Sequence, residues 1–408
     1  MAESKKCLFV INTMGHGGAE VALIELMKKM IGLGFETHLY VMLGQGDLIS
    51  RVPEGVKLLN KRYDSRDVLS KTEKRALYRH TLSIVLSRFA LARDLPYMVK
   101  NYRRMRKAGR VMPEKLLWKP VADGTAPIKE EYDLAVAFIE GASTYYVAEK
   151  VRSKTKAAFF HIDYGKSVYT RELDRGCYEK IDGVFCVSDE TRKSFVEAYP
   201  EYRDKTFVFR NIIDTDLIRA KADEGPGFDD GYDGIRIVTL GRLVKQKALE
   251  KSIEALSVIR KRGYEARWYV FGEGEERPFL EKEIERFGVK DSFFLPGVAQ
   301  NPYPYVKQAD IYAHCSEYEG QSIAVREAQV LGKPIVLSDS NGNRGQISGG
   351  EADGIIVEFT AERIADGIEK LILDPGLRER LARTAEAKQQ SNDDIRKLIE
   401  LTEGKKRQ

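Results

Sequence analysis

Short apolar runs along this chain are separated by segments whose apolar residues recur at helical spacing. The runs have the length of buried strands and lie at residues 5–12, 37–43, 132–139, 156–162, 183–187, 206–210, 235–240, 267–271, 293–295, 311–314, 335–337 and 354–357. Strands that alternate with helices form parallel sheets covered by helices on both faces. The pattern therefore predicts an α/β protein built from doubly wound sheets.

Residues 215–234 interrupt the pattern and include an acidic, glycine-rich stretch, GPGFDDGYDG at residues 225–234, which is predicted to be a linker. The chain has 408 residues, and single hydrophobic cores stop growing beyond about 250–300 residues. We therefore predict two domains, residues 1–213 and residues 214–390, followed by a last helix within residues 391–408.

The composition is that of a folded globular protein, with 43% apolar and 32% charged residues, and it argues against disorder. The four cysteines show no metal or disulfide spacing, which is typical of buried thiols in a reducing compartment. The first residues are too mixed in character for a signal peptide, and no apolar run approaches the about 20 residues that span a bilayer. These features predict a cytoplasmic protein without a transmembrane helix.

Residues 61–119 carry 17 Lys/Arg and 5 Asp/Glu, a local net charge of +12, whereas the whole chain carries +5. Two predicted helices, 71–93 and 95–107, broken near Pro96, interleave these cations with apolar side chains. Basic amphipathic helices bind anionic membrane surfaces, so we predict a peripheral protein at the inner face of the membrane. The alternative is a helix pair packed on the first domain with a solvated basic face. No nucleic-acid-binding motif accompanies the charge, and nucleic acid is not a predicted partner.

Residues 316–338 combine a polar turn, a predicted helix and a short predicted strand. Glu319 lies at the start of this helix and Glu327 two turns inside it. A helix N-terminus next to a glycine, here Gly320, is a natural anion site because its first N–H groups have no partner within the helix. The alternative is that Glu319 only complements the helix dipole and that Glu327 is a solvated surface residue.

Two cations flank the first turn of the second domain. The strand at 235–240 is followed by Gly241, Arg242 and Leu243 and then by a predicted helix at 246–262. Arg242 and Lys247 bracket this turn. Fixed cations beside a helix N-terminus hold a diphosphate well.

A glycine-rich turn at residues 13–18 follows the first strand. Gly15 and Gly17 fit the first two positions of the dinucleotide motif G-x-G-x-x-G, but the third falls on Glu20, so we do not predict a nicotinamide cofactor. His161 stands at the end of a predicted strand, where doubly wound sheets bind their ligands, although a single histidine there also serves structural roles.

Six motifs occur in a fixed order: NTMGHGGAE at 12–20, VSDETRKSF at 187–195, RNIIDTDLI at 210–218, GRL at 241–243 with Lys247, FGEGEER at 271–277 and Glu319 through Glu327. In this order they resemble the family 4 glycosyltransferases. The resemblance covers nearly the whole chain apart from residues 61–119. The sequence departs from the family pattern at Ala248, which replaces the usual glycine, and at Gln321 and Arg326.

The resemblance implies a GT-B fold, in which two Rossmann-like domains face each other across a cleft and a C-terminal helix crosses back to the first domain. It implies that Arg242 and Lys247 clamp the donor diphosphate, with Glu319 and His161 as further catalytic residues. Glu327 would bind the ribose. The donor contacts implied for the remaining motif residues involve Gly17, Gly18, Gly297, Val298, Gly320, Gln321, Ser322 and Ile323.

Helix geometry restricts the roles of the two carboxylates. If Glu319 and Glu327 were both helical, they would lie about 12 Å apart along the helix axis, whereas a double-displacement glycosidase needs about 5–5.5 Å. They are therefore predicted to position two ends of one donor. The leaving diphosphate would be stabilised by Arg242, Lys247 and the helix N-terminus without a metal ion or other cofactor.

Taken with the resemblance, these features predict a retaining hexosyltransferase. It would move a sugar from a nucleotide sugar, a UDP-sugar, to a glycan or lipid-linked acceptor in the synthesis of cell-surface polysaccharide or glycoconjugate. One alternative is a UDP-sugar epimerase of the same fold, which turns over donor without acceptor. The other is a module that binds nucleotide sugar and catalyses no reaction.

Overall fold

The computed structural model describes residues 4–15, 17–68, 71–109, 111–165, 167, 170–347, 353–387 and 394–404, with only the backbone described at 71–74 and 341. His16 of the glycine-rich turn therefore lies outside the described residues. The chain divides into two compact units: unit 1 comprises residues 1–212 and 391–408, and unit 2 comprises residues 213–390.

Unit 1 is built on a seven-stranded parallel sheet with the strand order β3-β2-β1-β4-β5-β6-β7. Its strands are β1 Lys6–Ile11, β2 Glu36–Val41, β3 Lys57–Leu58, β4 Glu131–Ala137, β5 Arg152–Phe160, β6 Gly183–Cys186 and β7 Thr206–Val208. Its helices are α1 Gly18–Gly32, α2 Lys71–Leu86, α3 Ala90–Lys107, α4 Pro113–Gly124, α5 Ala142–Lys150, α6 Arg171–Asp174, α7 Asp189–Ala198 and α16 Asp394–Thr402. The central strands are buried almost throughout, as expected for a parallel sheet covered on both faces.

Unit 2 repeats this plan with six parallel strands in the order β10-β9-β8-β11-β12-β13. Its strands are β8 Ile235–Leu240, β9 Ala266–Phe271, β10 Phe293–Gly297, β11 Ile311–His314, β12 Ile335–Ser338 and β13 Ile355–Val357. Its helices are α8 Thr215–Ala222, α9 Leu249–Lys261, α10 Arg277–Arg286, α11 Tyr303–Gln308, α12 Ile323–Val330, α13 Asn341–Arg344, α14 Ala361–Leu373 and α15 Pro375–Ala387. Ile237 and Val238 belong to different apolar clusters because successive strand residues point to opposite faces of the sheet.

Both sheets reverse their strand order once, between β1 and β4 in unit 1 and between β8 and β11 in unit 2. In open α/β sheets, ligands bind beyond the carboxyl ends of the strands at such a switch point. The parallel strands and helix-covered sheets confirm the predicted α/β class with two Rossmann-like units. The loops after β8 and β11 therefore border the expected ligand-binding site of unit 2.

The structure differs from the predicted local structure at three points. Helix α3 continues through Pro96, and the helical segment breaks instead at Arg88 and Phe89, which both have left-handed backbone angles with φ of 53° and 54°. No helix was predicted before the linker, but residues 215–222 form helix α8, whose first turn is capped by a hydrogen bond of 3.0 Å from the Leu217 N–H to Asp214 Oδ1. Helix α9 begins at Leu249 rather than at residue 246, so Lys247 lies in the preceding 3-10 turn.

Helix α16 packs within unit 1, although unit 2 precedes it in the chain. The Arg210 N–H donates to Asp394 Oδ2 over 2.9 Å, and Lys397 Nζ donates to the Val208 carbonyl over 2.9 Å. Leu398 is fully buried. The last helix is thus held by both polar and apolar contacts.

All four cysteines are buried, and none forms a disulfide; they are Cys7, Cys177, Cys186 and Cys315. Among the described helices, none combines the length and the apolar character needed to cross a bilayer.

Candidate active site

The turn after β8 is held against the loop after β9 by glycines. A Cβ on Gly272 would lie 2.0 Å from the Gly241 carbonyl oxygen, and one on Gly274 would lie 2.1 Å from the Leu243 carbonyl oxygen. The Leu243 N–H donates to the Glu273 carbonyl over 2.9 Å. The glycines of the FGEGEER motif therefore allow two backbone turns to touch, which fixes the loop that carries Arg242.

Lys247 ends the same turn, immediately before Ala248. Ala248 adopts a left-handed conformation with φ 40° and ψ 46° and is the residue from which α9 starts. A left-handed residue reverses the direction of the chain within one position. Lys247 therefore lies before α9 and not inside it, where the sequence pattern had placed it.

Lys247, His314 and Glu319 form one cluster. Lys247 Nζ lies 2.5 Å from Glu319 Oε1 and 3.0 Å from His314 Nε2, and the same His314 nitrogen lies 3.1 Å from Glu319 Oε1. The side chains of Lys247 and Glu319 are only 14% and 9% exposed, and that of His314 is 1% exposed. The ion pair is therefore nearly removed from solvent, where its strength is least reduced by screening.

Burial and charge set the protonation states of this cluster. Burial by itself would raise the pKa of Glu319, but the Lys247 ammonium and the hydrogen bond with His314 hold the pKa of this carboxyl below its usual range. Burial, together with the Lys247 charge, lowers the pKa of His314. Glu319 is therefore ionised and His314 neutral near neutral pH, and the cluster has no net charge of its own.

Arg242 lines the same depression as Lys247 and His314 but is exposed. Within the described part of the chain, its guanidinium forms no ion pair, in contrast to Lys247. With Glu319 neutralised by Lys247, Arg242 gives the depression a net positive charge. The N–H groups of its planar guanidinium can donate two parallel hydrogen bonds to two oxygens of one phosphate.

The loop between β11 and α12 places Glu319 outside the helix. Helix α12 begins at Ile323, with Ser322 as its N-terminal cap residue, so Glu319 lies in the loop four residues earlier. A Cβ on Gly342 would lie 2.3 Å from the Glu319 carbonyl oxygen, which shows that α13 packs directly on this loop. Glu319 therefore lies in the polar turn at the start of the helix, as predicted, and not inside the helix.

The other residues predicted to contact the donor lie along the same edge of unit 2. Glu327 is half-buried in α12, and its Oε1 accepts a hydrogen bond of 2.8 Å from the Tyr303 hydroxyl. Gly297 ends β10 with φ 91°, and the following Val298 is 48% exposed. Gly320, Gln321 and Ser322 form the loop before α12, and Ile323 is its first residue.

In unit 1, the predicted glycines start the first helix. Gly17 is the N-terminal cap residue of α1 and Gly18 its first residue. Gly46 lies against this turn with φ 137°, and a Cβ there would meet the Met14 carbonyl carbon at 2.2 Å. The turn after β1 is thus fixed by a close backbone contact that the sequence pattern did not indicate.

His161 follows β5 directly and packs against Phe138, with ring centroids 5.1 Å apart and ring planes tilted by 55°. Burial lowers the pKa of His161 to about 4, so the imidazole is neutral at neutral pH. Its Nε2 is buried without a hydrogen-bond partner among the described residues. The single N–H of the neutral ring donates to the Phe138 backbone, so the unused Nε2 can accept a hydrogen bond from a ligand hydroxyl.

The sequence reading missed two side chains at these strand ends. Glu140 is buried after β4, and its Oε1 accepts the backbone N–H groups of His161 and Ile162, which fixes the backbone of His161. His314 is the last residue of β11. Both follow the rule that selected His161, because polar residues at the carboxyl ends of parallel strands lie at the ligand-binding edge.

The structure thus brings Arg242, Lys247 and Glu319 together in unit 2 and adds His314. Glu327 lies further along α12 with Tyr303 as its partner. Gly17, Gly18 and His161 lie in unit 1.

Residues 231–388 match the family model described as "Glycosyl transferases group 1". The match covers nearly all of unit 2, including Arg242, Lys247, His314 and Glu319. For unit 2, the resemblance seen in the motifs is therefore matched by the model of the group 1 glycosyltransferases. Its narrower assignment to family 4 stays a prediction.

Two relatives show how far the similarity extends along the chain. The chain is 30% identical over 174 residues to alpha-D-kanosaminyltransferase of Streptomyces kanamyceticus, which covers 42% of this chain and 44% of the relative. It is 23% identical over 390 residues to N-acetylgalactosamine-N,N'-diacetylbacillosaminyl-diphospho-undecaprenol 4-alpha-N-acetylgalactosaminyltransferase of Campylobacter jejuni, which covers 95% of each chain. The chain thus spans less than half the length of the first relative and nearly all of the second.

The fold is also that of a solved structure, HepE of Anabaena in complex with UDP. The TM-score is 0.63 at 15% identity, and the match covers 98% of this chain and 97% of the other. The likeness confirms the predicted GT-B fold class.

Proposed function

We propose that this chain is a retaining glycosyltransferase that transfers a sugar from a UDP-sugar to a glycan or lipid-linked acceptor. The observation that carries the proposal is the cluster at the switch point of unit 2, where Arg242 is free to bind an anion and Lys247 is fixed by Glu319 and His314. Such a site suits the diphosphate of a nucleotide sugar.

In this proposal, the two cations act mainly on the leaving group. Departure of the sugar leaves negative charge on the diphosphate. Arg242 provides a planar set of donors, and Lys247 retains N–H donors beyond the one directed at Glu319. Charges that are already fixed before the reaction stabilise the transition state without reorganisation.

Glu319 acts as a positioning residue rather than as a nucleophile. Its Oε1 is already engaged by Lys247 Nζ and close to His314 Nε2. A carboxylate held in this way orients the lysine and neutralises part of the site. In a retaining reaction, the bond between the anomeric carbon and the diphosphate breaks, and an acceptor hydroxyl attacks that carbon from the same face. The departing phosphate takes up the proton of the hydroxyl.

The UDP-sugar donor and the acceptor class rest on the similar proteins. The Anabaena structure contains UDP, and the name of the Campylobacter relative includes a sugar linked to diphospho-undecaprenol. Glycan and polysaccharide synthesis at the cytoplasmic side of a membrane agrees with the basic segment 61–119, which we propose holds the protein on anionic lipid. Because Arg242 and Lys247 supply the counter-charge, we propose that transfer needs no metal ion.

The decisive experiment measures UDP release from candidate UDP-sugars with and without acceptor extract. A transferase releases UDP only when acceptor is present. An epimerase converts the donor sugar without acceptor, and a binding module shows a ligand-induced rise in melting temperature but no turnover. Either of the last two outcomes would replace the proposal.

The role of metal is tested in the same assay. Unchanged UDP release after treatment with a chelator is the expected result. Loss of activity that is restored by added divalent metal would contradict the metal-independent mechanism.

A further inference from the structure

Exposed apolar side chains are concentrated in one part of unit 1. Thirteen large apolar residues are exposed among the described residues, and eight of them lie between Tyr78 and Val111. Single exposed apolar residues are normal on a protein surface, but a contiguous group marks an interaction site. We call residues 71–107, which form α2, the break at 87–89 and α3, the basic hairpin.

The exposed residues form a row on each helix of the basic hairpin. On α2 they are Tyr78, Leu82 and Leu86, spaced four residues apart. On α3 they are Leu95, Val99 and Tyr102, spaced four and three residues apart. Residues at these spacings lie on one face of a helix, so each helix presents a continuous apolar stripe.

The break between the helices carries the most exposed apolar side chain of the group. Phe89 is 83% exposed, and both Phe89 and Arg88 have left-handed backbone angles. For residues other than glycine, this conformation costs free energy and persists only where the surroundings hold it. Here Ser87 Oγ donates to the Gly124 carbonyl over 2.7 Å, which fixes the break to α4.

The exposed stripes are not needed to attach the basic hairpin to unit 1. A different set of side chains faces inward, including Val85, Ala90 and Met105, which are at most 5% exposed. A Cβ on Gly124 would lie 2.0 Å from the Ile84 carbonyl oxygen, so α2 and α4 touch through their backbones. The apolar stripes are therefore additional to the contacts that hold the fold.

Basic side chains accompany the stripes. Residues 75–107 contain nine Lys/Arg and one acidic residue, Asp94, which is buried. Among the described residues, only Arg93 and Arg104 of these nine form ion pairs. Seven cations are thus available to a partner, and an anionic partner complements them.

We propose that the apolar stripes of the basic hairpin, with Phe89 at their junction, insert into the interfacial layer of an anionic lipid bilayer. This inference deepens the proposed membrane location and rests on it. Amphipathic helices bury their apolar face at the level of the headgroups, while their cations bind lipid phosphates. Binding therefore has an apolar component that survives high salt and an electrostatic component that does not.

A fluorescence experiment locates the inserting residue. Phe89→Trp is compared with Leu373→Trp, an exposed site on α14 of unit 2, after subtraction of the parent signal from Trp118 and Trp268. Vesicles contain phosphatidylcholine with phosphatidylglycerol and a bromine-labelled acyl chain. Quenching of the tryptophan fluorescence introduced by Phe89→Trp, with none for the control, is the expected result. Absence of quenching for Phe89→Trp on vesicles that bind the protein would overturn the proposal.

Co-sedimentation separates the two components of binding. Leu86→Ser with Phe89→Ser should weaken partitioning to the anionic vesicles by about tenfold or more, and the remaining binding should become fully salt-sensitive. Leu373→Ser should bind like the parent protein. Binding that is unchanged in the double variant would contradict apolar insertion.

The same variants distinguish other partners and other failures. Concentration-dependent dimers in solution that the double serine variant abolishes would assign the stripes to a second copy of the chain and overturn the proposal. UDP-induced thermal stabilisation is measured in parallel, because the basic hairpin belongs to unit 1 and the cluster of Arg242, Lys247 and Glu319 to unit 2. Lost UDP binding in the parent protein would count against the proposed function, whereas lost vesicle binding alone counts only against this inference.

Discussion

Arg242 and Lys247 are both cations of the turn after β8, but their surroundings give them different energetics. Lys247 is paired with Glu319 in a nearly buried position, whereas Arg242 is exposed and forms no ion pair among the described residues. Removing one partner of a buried pair leaves an uncompensated charge, which costs about 3–5 kcal/mol. Removing an exposed, unpaired cation costs little stability.

Substitution of the two cations is therefore expected to affect stability differently. Arg242→Ala should lower turnover by about a hundredfold or more while leaving the melting temperature nearly unchanged. Lys247→Met should lower turnover and destabilise the protein by about 3–5 kcal/mol. Turnover by UDP release and unfolding by denaturant titration measure the two effects.

A double variant provides the control for the buried pair. Lys247→Met with Glu319→Gln removes both charges, so its stability should lie above that of Lys247→Met alone. If the double variant is as unstable as the sum of the single variants, the pair does not couple in this way. Near-normal turnover of Arg242→Ala would contradict the diphosphate site.

His161 makes the stability of unit 1 depend on pH. Its pKa is lowered from 6.5 to about 4 in the folded protein, so the unfolded chain binds more protons between these values. Acidification through this window therefore favours unfolding, with a slope of up to about 1.4 kcal/mol per pH unit. The stability gained from the neutral imidazole is present above pH 6.5 and is lost as the pH falls towards 4.

The measurement compares the free energy of unfolding of the parent protein and of His161→Gln across about pH 4–7. The stability of the variant should fall less steeply on acidification. Parallel curves would show that His161 titrates normally in the folded protein.

At the scale of single elements, one residue between β8 and α9 adopts a backbone conformation that costs free energy. Ala248 occupies a left-handed conformation that glycine adopts freely. Ala248→Gly should therefore stabilise unit 2 by about 0.5–1 kcal/mol, after the greater freedom of glycine in the unfolded chain is included. Ala255→Gly, in the interior of α9, is the matched control and should destabilise by about 1 kcal/mol. Thermal unfolding that ranks the two variants in the opposite order would contradict this account.

The loop after β9 is expected to tolerate no side chain at Gly274. The added Cβ would collide with the backbone of Leu243, so Gly274→Ala must displace the turn that carries Arg242. We expect lower UDP affinity by about tenfold or more, because a displaced phosphate turn loses its aligned donors. Gly32→Ala, where a Cβ meets nothing within 4 Å, should bind UDP normally. Normal UDP affinity of Gly274→Ala would show that the turn is not fixed by this contact.

The sequence predicted twelve of the thirteen strands among the described residues, because buried apolar runs depend on local composition, and it missed the two-residue edge strand β3, which is not buried. It misplaced the start of α9, since an alanine gives no local sign of the left-handed turn that tertiary contacts impose at Ala248. It also placed the break of the basic hairpin at Pro96, but α3 continues through this proline, which removes one hydrogen bond without ending the helix. The actual break at Arg88 and Phe89 is set by contacts with α4.

The candidate site was predictable in part. Arg242, Lys247 and Glu319 were named from motifs, and the structure pairs Lys247 with Glu319 and places Arg242 at the same depression as Lys247. Their roles in binding and catalysis stay predictions. His314 was missed because the sequence does not show that β11 lies beside β8, and only this adjacency brings its ring to Lys247. Glu140 was missed for the same reason, since its carboxylate acts on the neighbouring strand end.

At the scale of the whole molecule, the chain leaves unit 1 at residue 212 and returns to it after unit 2. Leu398 of α16 is fully buried in unit 1. Leu398→Ala should destabilise unit 1 by about 2–5 kcal/mol through the cavity it leaves. Leu373→Ala, on an exposed face of α14, is the control and should be nearly neutral.

Hydrogen exchange assigns the effect to one unit. Faster exchange in β5, β6 and β7 with unchanged exchange in β8 to β13 is the expected result for Leu398→Ala. Uniformly faster exchange in both sheets would show that the two units unfold as one.

The return of α16 also fixes an order of events during synthesis. Unit 2 is continuous in sequence, so its six strands are all available before α16 has been translated. Unit 1 begins first on the ribosome but must wait for a helix encoded after the whole of unit 2, and until then the surface that receives Leu398 stays uncovered. The half of the protein that is made first is therefore finished last, and during that interval its uncovered apolar surface is the one open to aggregation.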